Sequence, residues 1–111
     1  MGSLSINVQR GASTMTVFVT GDLHVSTADE LVGLVGSQLE PGVGTVEIDL
    51  AGVGLIDSTG TKALARVLDR ITEHGGTMTV VRPRRAVHRA LTASGLVRVV
   101  SVGRPYEDPP V

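Results

Sequence analysis

The sequence has no cysteine and no tryptophan, and only two of its 111 residues, Phe18 and Tyr106, are aromatic. Without cysteine it has no disulfide, no thiolate nucleophile and no cysteine-based metal site. Two aromatic rings offer little for stacking on nucleic-acid bases. The core must therefore be aliphatic, a composition that suits a partly parallel sheet covered by helices.

An excess of charge of one sign is also missing. Ten basic and eleven acidic residues give a net charge of −1, whereas nucleic-acid binding usually requires a strong positive field. No apolar run approaches the length of a transmembrane helix, and the N-terminus lacks the pattern of a signal peptide. We therefore expect a cytoplasmic protein with no direct nucleic-acid partner and no membrane partner.

The hydrophobic pattern predicts the element order β, β, α, β, α, β, α, β. Strand-like alternation covers residues 5–10, 15–20, 45–50, 77–81 and 97–102, with loops at 21–25 and 51–54. Apolar residues at helical spacing follow Thr27, Ser58 and Pro83, and Thr27 with Glu30 has the form of a capping box. The expected fold is α/β, a mixed sheet of about five strands with helices packed mainly on one face. We expect one domain over residues 1–104 and a flexible, proline-rich tail over 105–111.

The segment Asp57-Ser58-Thr59-Gly60 is the most informative for function. It lies where a buried strand leads into a helix, which places Ser58 at or beside the N-cap. The first helical turn presents unsatisfied N–H groups and a partial positive charge, and Gly60 leaves that turn without side-chain cover. Backbone donors there suit a phosphate group. The alternative is that Ser58 simply caps the helix.

The wider sequence resembles the STAS domain, and specifically the bacterial anti-sigma factor antagonists. The resemblance spans roughly residues 5 to 102. It rests on the order and spacing of four segments: Gly21-Asp22-Leu23 with Thr27-Ala28, Ile48-Asp49-Leu50, Ile56 to Gly60, and Ala93-Ser94-Gly95-Leu96.

The resemblance implies a regulatory protein of transcription, for example in a stress response, and not an enzyme. In that family the serine of the Asp-Ser-Ser/Thr-Gly motif, here Ser58, is phosphorylated. The unphosphorylated form binds an anti-sigma factor that is itself a serine kinase, which frees a sigma factor. The kinase then phosphorylates the serine, and a serine phosphatase removes the phosphate. No cofactor and no metal are implied.

We expect the partner surface to include the loop after the second strand, because this loop should lie beside the start of the second helix. The expected partner-binding residues are Asp22, His24, Asp57, Thr59, Gly60 and Lys62. One departure from the family is Thr61-Lys62, since relatives usually carry apolar residues or glycine there. This departure gives the expected partner-facing helix an unusual positive charge.

Other functions remain open. The domain is alternatively a STAS scaffold subunit of a transport or signalling complex in which Ser58 is never modified. A third alternative is a binder of a nucleotide or small ligand, although no phosphate-binding loop is present. Ser58 lacks the Gly-x-Ser-x-Gly context of a hydrolase nucleophile. The three histidines show no metal-ligand spacing. A basic cluster favours an acidic partner or forms a solvated surface: Arg82, Arg84, Arg85 and Arg89.

Overall fold

Strands and helices alternate along the chain in the order that the sequence predicts. The structure is a computed structural model that describes residues 4–105. The strands are β1 (Leu4–Arg10), β2 (Thr14–Leu23), β3 (Thr45–Ile56), β4 (Thr77–Val81) and β5 (Ser101–Val102). The helices are α1 (Ala28–Gln38), α2 (Ser58–Glu73) and α3 (Arg85–Ala93), and a 3₁₀ helix at Leu96–Arg98 precedes β5. The predicted tail lies, after Pro105, outside the described residues.

The five strands form one mixed sheet in the order β1-β2-β3-β4-β5. The β1–β2 pair is antiparallel, and every later pair is parallel. A helix connects each parallel pair, as a crossover connection requires. The carboxyl ends of β2 and β3 consequently lie at the same edge of the sheet, where α1 and α2 begin.

One face of the sheet carries the core. Met15 and Val17 on β2 pair with Val46 and Ile48 on β3, and all four side chains are fully buried. Residues that alternate with them, such as Thr16, are partly exposed. The helices pack on the buried face through apolar side chains, among them Leu31, Val35, Leu64, Val67, Ile71, Val87 and Leu91. The predicted mixed sheet with helices mainly on one face is confirmed.

Strand β3 is longer than the sequence predicts, since residues 51–54 continue the strand rather than forming a loop. The β2–β3 register shifts between Phe18 and Thr20, a β-bulge, and the carboxylate of Asp49 accepts a hydrogen bond of 3.0 Å from the N–H of Ala51 at this position. A Cβ at Gly52 would lie 2.9 Å from the carbonyl oxygen of Val19. The glycine that suggested a loop therefore permits close approach of two strands at the bulge.

Two other predicted boundaries and one predicted cap differ from the structure. Strand β2 continues through Leu23, so only residues 24–27 separate it from α1. The predicted capping box is wrong, because the hydroxyl of Thr27 donates to the carbonyl oxygen of Asp22 over 2.7 Å and caps no helix N–H. The fifth strand is shorter than predicted: Gly95 has a φ of 82°, and the chain forms a 3₁₀ turn before it pairs with β4.

Of the helices within residues 4–105, none has the length and apolar character needed to span a membrane.

Candidate phosphorylation and partner-binding site

Asp57 is the N-cap of α2. Its side chain accepts a hydrogen bond of 2.9 Å from the backbone N–H of Gly60, and its own carbonyl oxygen accepts one of 3.0 Å from the N–H of Thr61. A carboxylate at this position satisfies a helix donor and opposes the positive end of the helix dipole. Asp57 is therefore a structural residue of the helix start, whatever partner it contacts.

Ser58 is the first residue of α2, and it is exposed. The interpretation that Ser58 caps the helix is wrong, because Asp57 fills that role. The carbonyl oxygen of Ser58 accepts a hydrogen bond of 2.9 Å from the hydroxyl of Thr61. The side chain of Ser58 is exposed to solvent. Helix geometry leaves the N–H groups of Ser58 and Thr59 without an intrahelical acceptor. An anion on the Ser58 hydroxyl would thus lie near two unpaired donors and a partial positive charge.

Gly60 is buried, and its surroundings exclude a side chain. A Cβ at this position would overlap the carbonyl oxygen of Leu23 and lie 2.7 Å from Cγ1 of Ile56. This corrects the expectation that Gly60 presents open surface to a partner. The glycine instead lets the first turn of α2 pack directly on the end of β2, which holds Ser58 in place.

The end of β2 lies beside the start of α2, as predicted. Leu23 pairs with Ile56 in the parallel ladder, and its carbonyl oxygen accepts a bond of 3.3 Å from the N–H of Asp57. Asp22 and His24, on either side of Leu23, are half-buried. Nδ1 of His24 accepts a bond of 3.1 Å from the N–H of Ser26, so the ring is oriented by its own loop.

Thr59 and Lys62 lie on the first two turns of α2. Thr59 is half-buried, and Lys62 is exposed. Lys62 lines a second part of the surface, between α2 and the 3₁₀ helix, together with Ala65, Leu96 and Val99. The structure therefore brings Asp22, His24, Asp57 and Ser58 to one edge of the sheet and places Lys62 about one turn further along α2.

Sequence reasoning missed the apolar part of this surface. The large hydrophobic side chains most exposed among residues 4–105 are Val25 at 72%, Val99 at 67% and Leu55 at 56%. Val25 follows His24, and Leu55 pairs with Asp22 in the ladder. The sequence did indicate Val25, because it is the one apolar residue of the otherwise polar segment 24–27. No signal marks Leu55, because its exposure depends on where β4 ends: the β3–β4 ladder stops at Asp49 and Val81, and β3 continues to Ile56.

A cavity of about 330 Å³ opens beside Ser58, between the start of α2 and the end of α3. Its lining is mostly apolar or small: Ile56, Asp57, Ser58, Thr61, Ala90, Ala93 and Ser94. This volume is at the lower end of the ~300–1,000 Å³ typical of ligand pockets, and the cavity is open to solvent along one side. A side chain from a partner fits such a shape better than an enclosed cofactor does.

Two arginines of the basic cluster make structural contacts. Arg82 contacts the buried carboxylate of Asp49 over 3.0 Å, and Nε of Arg84 donates to the carbonyl oxygen of Ala51 over 2.7 Å. These two members of the basic cluster therefore anchor the β4–α3 connection to β3. Within the described part of the chain, no three histidine or carboxylate side chains are grouped so that they would hold a metal ion.

The fold and the site define a small α/β domain that presents an exposed serine at the start of a helix. The family model of the STAS domain matches residues 5–108, and the chain belongs to this family. No curated protein matches the chain.

Solved structures with this fold include anti-sigma factor antagonists and proteins of transporter families. An anti-sigma factor antagonist from Mycobacterium paratuberculosis superposes with a TM-score of 0.79 at 24% identity, covering 96% of this chain and 87% of the other. SpoIIAA, an anti-sigma factor antagonist solved in its unphosphorylated form, gives 0.74 at 14% identity, covering 90% and 89%. The murine anion transporter Slc26a9 gives 0.76 at 20% identity, covering 89% of this chain but 17% of the transporter. At these identities the likeness concerns the fold.

Proposed function

We propose that this protein is an anti-sigma factor antagonist whose binding is controlled by phosphorylation of Ser58. In the unphosphorylated state it binds an anti-sigma factor serine kinase in the bacterial cytoplasm and thereby frees a sigma factor. The kinase phosphorylates Ser58, the complex dissociates, and a serine phosphatase restores the binding form. The chain itself acts as substrate and ligand in this cycle, not as an enzyme.

The observation that carries this proposal is the division of roles between Asp57 and Ser58. Because Asp57 caps α2, the hydroxyl of Ser58 is exposed and not needed to hold the helix. A kinase can therefore modify Ser58 without breaking a structural hydrogen bond. The match to antagonist structures extends over 87% and 89% of their lengths, which supports the same role for this domain.

Phosphorylation would act on the surface and leave the fold intact. A phosphoserine carries about −1.5 to −2 charges at neutral pH. Ser58 lines the apolar cavity between α2 and α3, and burying a charged group against apolar partner side chains is strongly unfavourable. The phosphate would also lie next to the carboxylate of Asp57, so a partner with an acidic group there would be repelled further. Loss of binding follows from both effects.

The direct test uses each anti-sigma factor kinase of the host, purified singly, with ATP and the full-length protein. We expect one kinase to bind the unmodified protein and to transfer phosphate to Ser58, identified by phosphopeptide mapping. Ser58→Ala is the matched control and should bind but take up no phosphate. Label on Thr59 with Ser58 unmodified, or phosphate uptake by Ser58→Ala, would contradict the assignment.

The alternative function is that of a STAS scaffold subunit in a transport or signalling complex. The similarity to the STAS-containing region of an anion transporter supports it, since the fold alone serves both roles. Intact mass of the protein purified from its host separates the two. An added mass of one phosphate supports the switch, whereas an unmodified protein that binds none of the kinases supports the scaffold.

A further inference from the structure

A second open cavity continues the one beside Ser58. It has a volume of about 320 Å³ and lies between α2 and the segment that follows α3. Thr61 and Ser94 line both cavities. The two therefore form one groove, here called the α2–α3 groove, that runs from Ser58 past Lys62 to Val99.

At the end near Val99, the charge that lines the groove is positive. Among residues 4–105, Lys62 is the only charged residue that lines the second cavity. Among residues 4–105, the ion pairs are Arg10–Glu40, Arg66–Asp29 and Arg82–Asp49, so Lys62 forms none of them. An exposed ammonium group beside apolar side chains favours a partner that brings a carboxylate.

One large apolar side chain of the groove is strongly exposed. Val99 is 67% exposed where the 3₁₀ helix ends, the partly exposed Ala65 of α2 lies in the same cavity, and Leu96, 6% exposed, forms its floor. A single exposed hydrophobic residue needs no explanation by itself. Val99, however, shares the cavity with the ammonium group of Lys62, and an apolar side chain beside a charge suits a partner that supplies both kinds of contact.

We propose that the α2–α3 groove docks an amphipathic segment of the anti-sigma factor kinase, with apolar side chains against Ala65 and Val99 and a carboxylate opposite Lys62. This inference rests on the proposed function, and it extends the partner surface from Ser58 to the second cavity of the groove, whose described lining does not include Ser58. The groove thereby provides specificity for one kinase, because Lys62 selects a partner with an acidic residue at one position.

The test is a binding titration of full-length variants against the kinase that phosphorylates Ser58. Val99→Asp and Lys62→Glu should each weaken binding by about tenfold or more, and the wild-type affinity, which depends on the Lys62 contact, should fall as salt rises. Arg70→Glu is the matched control. It makes the same charge change on the same helix, but the guanidinium of Arg70 lies towards Gly36 of α1 and away from the groove. Its affinity should stay within about twofold of wild type.

A charge-reversal cycle then identifies the contact. Exposed acidic residues of the kinase are changed to lysine one at a time, and one of these variants should restore binding to Lys62→Glu.

If wild type binds the kinase and both groove variants bind equally well, the groove proposal fails while the proposed function stands. If wild type binds none of the host's kinases, the proposed function itself fails. A Val99→Asp variant that alters self-association without altering kinase affinity assigns the groove to a second copy, which also overturns the proposal.

Discussion

The backbone N–H of Asp57 donates a hydrogen bond of 3.3 Å to the carbonyl oxygen of Leu23, which joins the start of α2 to the end of β2. The same carbonyl oxygen lies against Gly60, where a Cβ would overlap it. Ser58 is therefore held between two contacts to one residue of the neighbouring strand. The segment after β2 and Ser58 form one rigid surface, which suits recognition by a partner that contacts both.

Removal of the α2 cap should destabilise the protein. Asp57→Ala deletes the carboxylate that accepts from the N–H of Gly60, and loss of such a cap typically lowers the free energy of unfolding by about 1 kcal/mol. For a domain of this size we expect the melting temperature to fall by roughly 4–6 °C. Ser58→Ala, one residue along, should melt within about 1–2 °C of wild type. Equal melting temperatures for Asp57→Ala and wild type would show that the cap contributes nothing.

Two helical glycines should respond in opposite ways to alanine. Gly60→Ala places a methyl group against the carbonyl oxygen of Leu23, and overpacking of this kind reduces the free energy of unfolding by about 1–3 kcal/mol. Gly33→Ala, in α1, has no atom within 4 Å of the new Cβ and should stabilise the protein by about 0.5–1 kcal/mol. Urea unfolding of both variants measures the difference. A Gly60→Ala protein as stable as Gly33→Ala would mean that α2 moves freely relative to β2.

Much of the fold was predictable from the sequence, because local periodicity and the tertiary structure agree. Strand β4 has the predicted bounds, since Thr77 to Val81 alternates cleanly and glycines precede it. The placement of Ser58 beside the N-cap was predictable from the same pattern. The contact between the end of β2 and the start of α2 followed from parallel pairing of β2 with β3.

What the sequence could not predict depends on contacts between distant residues. Gly52 looks like a turn glycine until Val19 is known to approach it within a bulge. Thr27 and Glu30 have capping-box spacing, but Asp22 competes for the Thr27 hydroxyl. Likewise Gly60 looks like open surface unless Leu23 is known to cover it. In each case the partner lies on another segment, and local pattern carries no information about it.

Two ion pairs that look alike should differ in strength. Arg66 and Asp29 form a contact of 2.8 Å between exposed side chains of α2 and α1, so Arg66→Ala should change the free energy of unfolding by less than about 1 kcal/mol, and less still at high salt. Arg82→Ala leaves the buried carboxylate of Asp49 with fewer partners. We expect a loss of about 1–2 kcal/mol, the arginine being half exposed. Denaturant unfolding at two salt concentrations tests both, and equal losses would contradict this ranking.

Introducing a charge at Ser58 should separate binding from folding. Ser58→Asp puts an anion in the first turn of α2, where the helix dipole is worth about 0.3–1 kcal/mol, so its melting temperature should stay within a few degrees of wild type. The same charge lies in the lining of the apolar cavity, and affinity for the kinase should fall by about tenfold or more. Ser58→Asn is the matched control, because asparagine has nearly the same shape as aspartate and no charge. This variant should keep most of the affinity for the kinase. Calorimetric titration measures the affinity of both variants for the kinase. Equal affinities would mean that charge at Ser58 does not control the interaction. An unfolded Ser58→Asp protein would mean that the helix start does not tolerate an anion.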